Sequence, residues 1–178
     1  MFPYRINDDI RLTLPIPEID ASPLFRLIDE SRDELFPWLP WVLNIKNCED
    51  ERLSLIRNKS NITNLRSLNL IIWYQGSIAG SISLKNLDSN TQTIEIGYWL
   101  GTRFTGKGIM TRTVKGLCTL VFTKYKIHKI NIYIASDNLA SNQIANRAGF
   151  YLEAKLRDDA LLFNQYYDEN LWTLLENE

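Results

Sequence analysis

The chain has 178 residues, 45% of them hydrophobic and 23% charged. That length and balance suit one globular domain over 1–178 and exclude a disordered or collagen-like chain. A net charge of −1 and a pI near 5.9 argue against a protein that binds nucleic acid directly. The two cysteines, Cys48 and Cys118, show no ligand spacing, and the one histidine, His128, falls in a helix-to-strand link, so neither a metal site nor a disulfide framework is expected. The start has no signal-peptide pattern and no apolar run reaches membrane-spanning length, so a soluble cytoplasmic protein is expected.

Residues 4–14 read as a first strand, with Ile10, Leu12 and Leu14 alternating with Arg11 and Thr13 before Pro15 and Pro17. An apolar stripe predicts a helix over 21–36, ended by Pro37 and Pro40, and the aromatic link Pro37-Trp38-Leu39-Pro40-Trp41 follows. A second helix is expected over 49–66. Three strands, at 68–74, 78–87 and 91–100, are joined by short turns and are therefore antiparallel neighbours. Gly97 inside the third predicts a bulge that stops this strand from pairing fully with its next neighbour. A long amphipathic helix over 108–124, a strand over 129–135, a short helix over 139–148 capped by Asp137 or Asn138 and stopped at Gly149, and two last strands near 150–157 and 166–175 complete the pattern. Strand–helix–strand around 92–135 allows a parallel crossover, so the class is α/β with a mixed sheet.

The most informative stretch is Gly101-Thr102-Arg103-Phe104-Thr105-Gly106-Lys107-Gly108-Ile109-Met110, between a strand and a long helix. Backbone N–H groups at a helix start converge on one point, where the helix dipole adds about half a positive charge. Gly106 and Gly108 let a phosphate approach the backbone, and Arg103 and Lys107 add charge, which suits a pyrophosphate. A dinucleotide fingerprint fits poorly, because Thr111 stands where the third glycine belongs. A nucleotide-hydrolase loop fits seven of eight positions but has Gly108 in place of the magnesium-binding hydroxyl.

The third reading is coenzyme A. Arg103-x-x-Gly106-x-Gly108, the string Glu95-Ile96-Gly97-Tyr98-Trp99-Leu100, and Asn138-x-x-Ser141-Asn142 followed by Ala148-Gly149-Phe150 together resemble the GNAT acetyltransferase superfamily, in its RimL-type branch of ribosomal-protein N-terminal acetyltransferases. The resemblance spans nearly the whole chain. It implies a GNAT fold, with a bulged, splayed central strand in a mostly antiparallel sheet and about four helices, and acetyl-CoA as co-substrate. It implies an acceptor amine, favoured as a ribosomal protein's N-terminus, with small amines open, and a possible homodimer.

The same resemblance suggests roles for residues. Glu95 is the expected general base, with its side chain opposite to those of Ile94 and Ile96. Ser141 is the candidate partner for the departing thiolate, because the position where many members carry a tyrosine is Ala145. Tyr98, Trp99 and Leu100 are expected to pair through their backbone with the pantetheine arm, residues 103–110 to hold the pyrophosphate, and Asn138 and Asn142 either to touch the arm or to hold the turn. Trp38 and Trp41 are expected either as a wall of the acceptor pocket or as an aromatic plug, and Tyr166 and Tyr167 carry no assigned role. An α-amine near pKa 7.7–8.0 is ~10–15% neutral at pH 7 and a lysine amine ~0.04%, so an N-terminus asks less of the base. A non-catalytic coenzyme A module is the remaining alternative.

Overall fold

The computed structural model describes residues 2–59 and 67–178, with the backbone alone at Lys59. Eight strands form one sheet in the order β1-β2-β3-β4-β5-β6-β8-β7, all neighbours antiparallel except β5 and β6. The expected first strand is two: β1 (Tyr4–Arg5) and β2 (Ile10–Thr13). The Asn7 side chain accepts from the N–H groups of Asp9 and Ile10 and turns the chain between them.

The first helix also differs from expectation. It runs as α1 (Pro17–Glu30), then breaks at Ser31 before the single turn α2 (Arg32–Leu35). The helix starts earlier than expected: Pro17 occupies its first turn, where no N–H is needed, and Asp20 accepts from the Ile16 N–H. Leu24, Leu27 and Ile28 form the buried stripe. A 3-10 turn (Pro40–Asn44) is tied to α2 by Arg32, whose guanidinium donates to the carbonyls of Val42 and Ile45. Helix α3 (Cys48–Lys59) covers the first part of the second expected helix; 60–66 lie outside the described residues.

Strands β3 (Ser67–Tyr74), β4 (Ser77–Asp88) and β5 (Thr93–Leu100) form the expected meander. Helix α4 (Ile109–Tyr125) carries the chain to β6 (Lys129–Ala135), and α5 (Leu139–Ala148) leads to the hairpin β7 (Tyr151–Leu162) and β8 (Gln165–Leu175). The core runs along the sheet, with Leu70, Ile72, Ile82, Ile96, Val114, Leu117 and Ile130 among its least exposed side chains. The hairpin tip reaches back across the molecule: Phe163 packs on Phe36 beside α2 with ring centroids 4.3 Å apart.

The central strand is splayed as expected, though not at a bulge against its antiparallel partner. β5 stays in register with β4 through Gly97 (opposite Ser83) to Leu100 (opposite Gly80), and the irregularity on that side lies between Lys85 and Asp88. On the other side, β5 pairs with β6 only over Thr93–Glu95 against Lys129–Asn131. Beyond Glu95 the two strands part, and the backbone edge of residues 96–100 that faces β6 has no strand beside it.

Candidate active site

The parting of β5 and β6 opens a cleft of about 590 Å³ through the sheet. One wall is Ile96–Leu100, the other is Ile132–Ala135 with the start of α5, and its far end is the turn before α4. Gly106 and Gly108 there have φ of 74° and 67°, and a Cβ at either position would meet nothing within 4 Å. The left-handed backbone favours glycine and the space in front of it is open. No side chain caps α4, so its first N–H groups remain available at the cleft wall formed by Gly108, Ile109, Met110 and Thr111. An uncapped helix start faced by two bare glycines suits a pyrophosphate, and an unpaired strand edge suits an amide-bearing arm; these residues fit coenzyme A.

The expected phosphate residues divide into two groups. Phe104, Thr105, Gly106, Gly108, Ile109 and Met110 line the cleft. Arg103 and Lys107 do not: the Arg103 guanidinium pairs with Glu30 at 3.1 Å and both cations lie over the Phe104 ring, at 5.0 and 5.6 Å from its centroid. Their charge stands beside the turn.

Ser141 lines the opposite wall, in the first turn of α5. Asn138 caps that helix by accepting from the Ser141 N–H at 3.1 Å and also lines the cleft. The Ser141 hydroxyl has no hydrogen-bond partner among the described residues, whereas its carbonyl accepts from the Tyr98 hydroxyl at 3.2 Å. Burial pushes the Tyr98 phenol up to about 12, so it stays a protonated strut between β5 and α5. Ala145 is fully buried and offers no hydroxyl. Asn142, expected either at the arm or in the turn, serves the turn. Its Nδ2 donates to the carbonyls of Ala135 (3.0 Å) and Asn138 (2.8 Å), and its Oδ1 accepts from Asn170 and Trp172, both at 2.8 Å. One half-buried amide thus locks α5 to β6 and β8.

Glu95 sits where the strands part. Its carboxylate accepts from the Asn86 side chain at 2.9 Å and faces the Lys85 ammonium at 3.4 Å. Its register partner across the parallel pair, Asn131, shares its face of the sheet, and the Asn131 Oδ1 is buried with no partner among the described residues. The sequence pattern missed Glu169. It lies on β8 opposite Ala135, lines the cleft together with Tyr133 and Lys85, and is raised above the usual carboxylate range by burial and then by Asp159. Burial, then the nearby carboxylates Glu95, Asp159 and Glu169, raises the Tyr133 phenol as well. A β7 irregularity between Leu156 and Ala160 accompanies this acidic lip, and no local sequence signal marks it.

The two expected pocket tryptophans part company. Trp38 lines the cleft, while Trp41 faces a second cavity of about 570 Å³ and packs on Trp99 with centroids 6.1 Å apart. That chamber lies beneath α1 and α3, floored by Asn69, Ser81 and Ser83, and it shares Leu39, Lys85, Gly97, Tyr98 and Trp99 with the cleft. Tyr166 is exposed on the hairpin and Tyr167 is half-buried; neither lines either cavity. Among the described residues, no group of histidine, cysteine or acidic side chains could hold a metal, and no helix is long and apolar enough to cross a membrane.

Comparison with known proteins agrees with this geometry. The family model described as "Acetyltransferase (GNAT) domain" matches residues 10–151. A Bacillus subtilis protein named as a ribosomal N-acetyltransferase, YdaF, is 32% identical, with 100% of this chain and 97% of that protein covered. The ribosomal-protein-serine acetyltransferase of Escherichia coli is 29% identical over 94% of this chain and 93% of its own. Among solved structures, the microcin C7 self-immunity acetyltransferase MccE, in complex with acetyl-CoA and AMP, is 31% identical, covers 96% of this chain and 94% of its own, and superposes with a TM-score of 0.91. The chain belongs to the GNAT acetyltransferase family, an acetyl-CoA-dependent group of N-acetyltransferases.

Proposed function

We propose that the whole chain, 1–178, works as one catalytic unit that transfers the acetyl group to a protein N-terminal α-amine of the ribosomal-protein type. The observation that carries this reading is the splay beyond Glu95, which opens a cleft between β5 and β6 lined by Ser141 and Glu169, with Glu95 at the point where the strands part. The names of the relatives supply the acceptor class. An α-amine needs little help to lose its proton, which suits a modest base.

In this reading the acceptor enters from the side of Lys85 and Glu169. Glu95 takes the proton from the ammonium, directly or through a water, and the orphaned Oδ1 of Asn131 accepts a hydrogen bond from the same nitrogen. The neutral amine then attacks the thioester carbonyl carbon; as the C–N bond forms and the C–S bond breaks, the nitrogen gives up a second proton, which ends on the departing thiolate as CoA-SH. The Ser141 hydroxyl donates a hydrogen bond to the departing sulfur. Backbone groups of Tyr98–Leu100 pair with the pantetheine arm, and the turn at 104–110 holds the pyrophosphate. A second reading gives the proton to Glu169, whose raised carboxyl lines the cleft where Glu95 does not. A homodimer is part of the proposal only as an expectation carried by the resemblance.

Mass spectrometry of acetyl transfer to N-terminal peptides tests both readings. Glu95→Gln is expected to lower kcat by ~10²–10³ with acetyl-CoA affinity unchanged, and Ser141→Ala by roughly tenfold. If instead Glu169→Gln removes the acid limb of the pH–rate profile and Glu95→Gln does not, Glu169 is the base. No transfer to any amine, despite acetyl-CoA binding, would sink the reaction itself.

A further inference from the structure

The chamber beneath α1 and α3 holds a carboxylate that the reaction above does not use. Glu51, in the first turn of α3, is only 6% exposed and lines the chamber. No hydrogen bond or ion pair joins its carboxylate to any described residue. Of the other ionisable groups on the chamber wall, Lys85 is paired with Glu95, the Tyr98 hydroxyl donates to the Ser141 carbonyl, and Arg57 has a contact of its own. Burial lifts the Glu51 carboxyl to about 7, with no counter-charge on it among the described residues. Around it the surface is of two kinds: Leu24, Leu55 and the Trp41–Trp99 pair are apolar, while Ser81 and Ser83 bring hydroxyls to the floor.

We infer that this chamber receives a positively charged group of the acceptor, an ammonium on an aliphatic stem, held by the carboxylate of Glu51. The inference rests on the acetyltransfer reading, because the chamber opens along β5 beside Lys85 and Gly97, which it shares with the cleft. The reacting amine stays at Glu95 while a second cation of the same molecule enters the chamber. Its stem meets the leucines and tryptophans, and its charge meets Glu51, which ionises as the cation arrives. Chambers that ask for a buried ion pair discriminate against isosteres that lack the charge, because the acid is otherwise left unanswered. The favoured acceptor is therefore one with two cationic nitrogens: an N-terminal peptide with an early lysine, or a free diamine.

The test compares peptides that differ only in lysine or norleucine at the second, third or fourth residue, alongside 1,5-diaminopentane and pentylamine. Wild-type enzyme is expected to show a KM about tenfold lower for a lysine peptide than for its norleucine twin, or for the diamine than for the monoamine. Preference in the peptides assigns the cation to a protein side chain, and preference in the amines assigns it to a small molecule. Glu51→Gln is expected to close the gap by raising KM for the cationic acceptor, and Glu51→Asp to close it less. Calorimetry with the CoA-loaded protein reads the same ratio without turnover, and acetyl-CoA affinity, which involves the other side of β5, reports that the variants are folded. A ratio near one in the wild type, or an undiminished ratio in Glu51→Gln, overturns the inference while leaving acetyl transfer standing. Acetyl-CoA binding without transfer to any of these amines, and without binding of the lysine peptide, removes both.

Discussion

The cleft and the chamber lie on opposite sides of one strand and are built by opposite means. The cleft is mainly backbone: a strand edge left bare beyond Glu95, an uncapped helix start and two left-handed glycines. The chamber is mainly side chains drawn from six separate elements, with one buried acid among the described residues of its wall. A backbone site recognises a ligand every member of the family shares, and its pattern is compact in sequence. A side-chain site can be re-specified one residue at a time, so it is where an individual acceptor preference is written.

The largest expected effect falls on the cleft. Gly108→Val places a β-branched residue at φ 67° and fills the space in front of the α4 N–H groups. Acetyl-CoA affinity, read by calorimetry, is expected to fall on the order of 100-fold or more. Unchanged affinity would mean that the pyrophosphate is held elsewhere, with Arg103 and Lys107 the nearest cations to test next.

Asn142 joins the two walls and gives the next largest effect. Asn142→Ala removes the amide that bridges two α5-turn carbonyls and receives Asn170 and Trp172. Two donors on β8 lose their acceptor in a half-buried setting, and the loss is expected to be about 1–3 kcal/mol in urea unfolding. If catalysis falls with no loss of stability, Asn142 contacts the coenzyme arm after all.

How much of this was legible depends on how local each feature is. Residues 101–110 carry their own signal because the glycines, the helix start and the ligand shape occur within ten positions. Asn138, Ser141 and Gly149 are legible for the same reason, as a helix cap, first turn and stop. The splay was readable in outcome through Gly97, yet its cause is not a bulge toward β4; it is a pairing with β6 that ends after Asn131, and pairing partners so distant in sequence leave no local trace. Glu169 reaches the cleft only because β8 inserts between β6 and β7. Glu51 reads in sequence as one more acid in the charged run Glu49-Asp50-Glu51. The face of α3 that packs inward decides its fate, and Leu55, one turn on, is buried with it. Pro17 hides the helix start, because a strand's end and a helix's first turn both accept a residue without an N–H.

The smallest effect belongs to the chamber, and pH exposes it. A carboxyl at about 7 in the folded chain and near 4.5 when exposed keeps, between those values, a proton that the unfolded chain has released. Folding then binds protons, so stability falls as pH rises from about 4.5 through about 7 and levels off above. Glu51→Leu removes the titration and keeps the apolar stem, so the variant is expected to be more stable than wild type by on the order of 2–3 kcal/mol at pH 8. The advantage should shrink toward pH 5, where the wild-type acid is already neutral, and urea unfolding across pH 4.5–8.5 reads it directly. A lysine peptide bound to CoA-loaded wild type should recover part of the deficit at pH 8, because the ammonium supplies the missing counter-charge; the leucine variant has no deficit to recover. A wild-type profile that stays level through pH 7 would mean that Glu51 is already compensated within the fold, and an acid without an electrostatic debt gives the chamber no reason to prefer a cation.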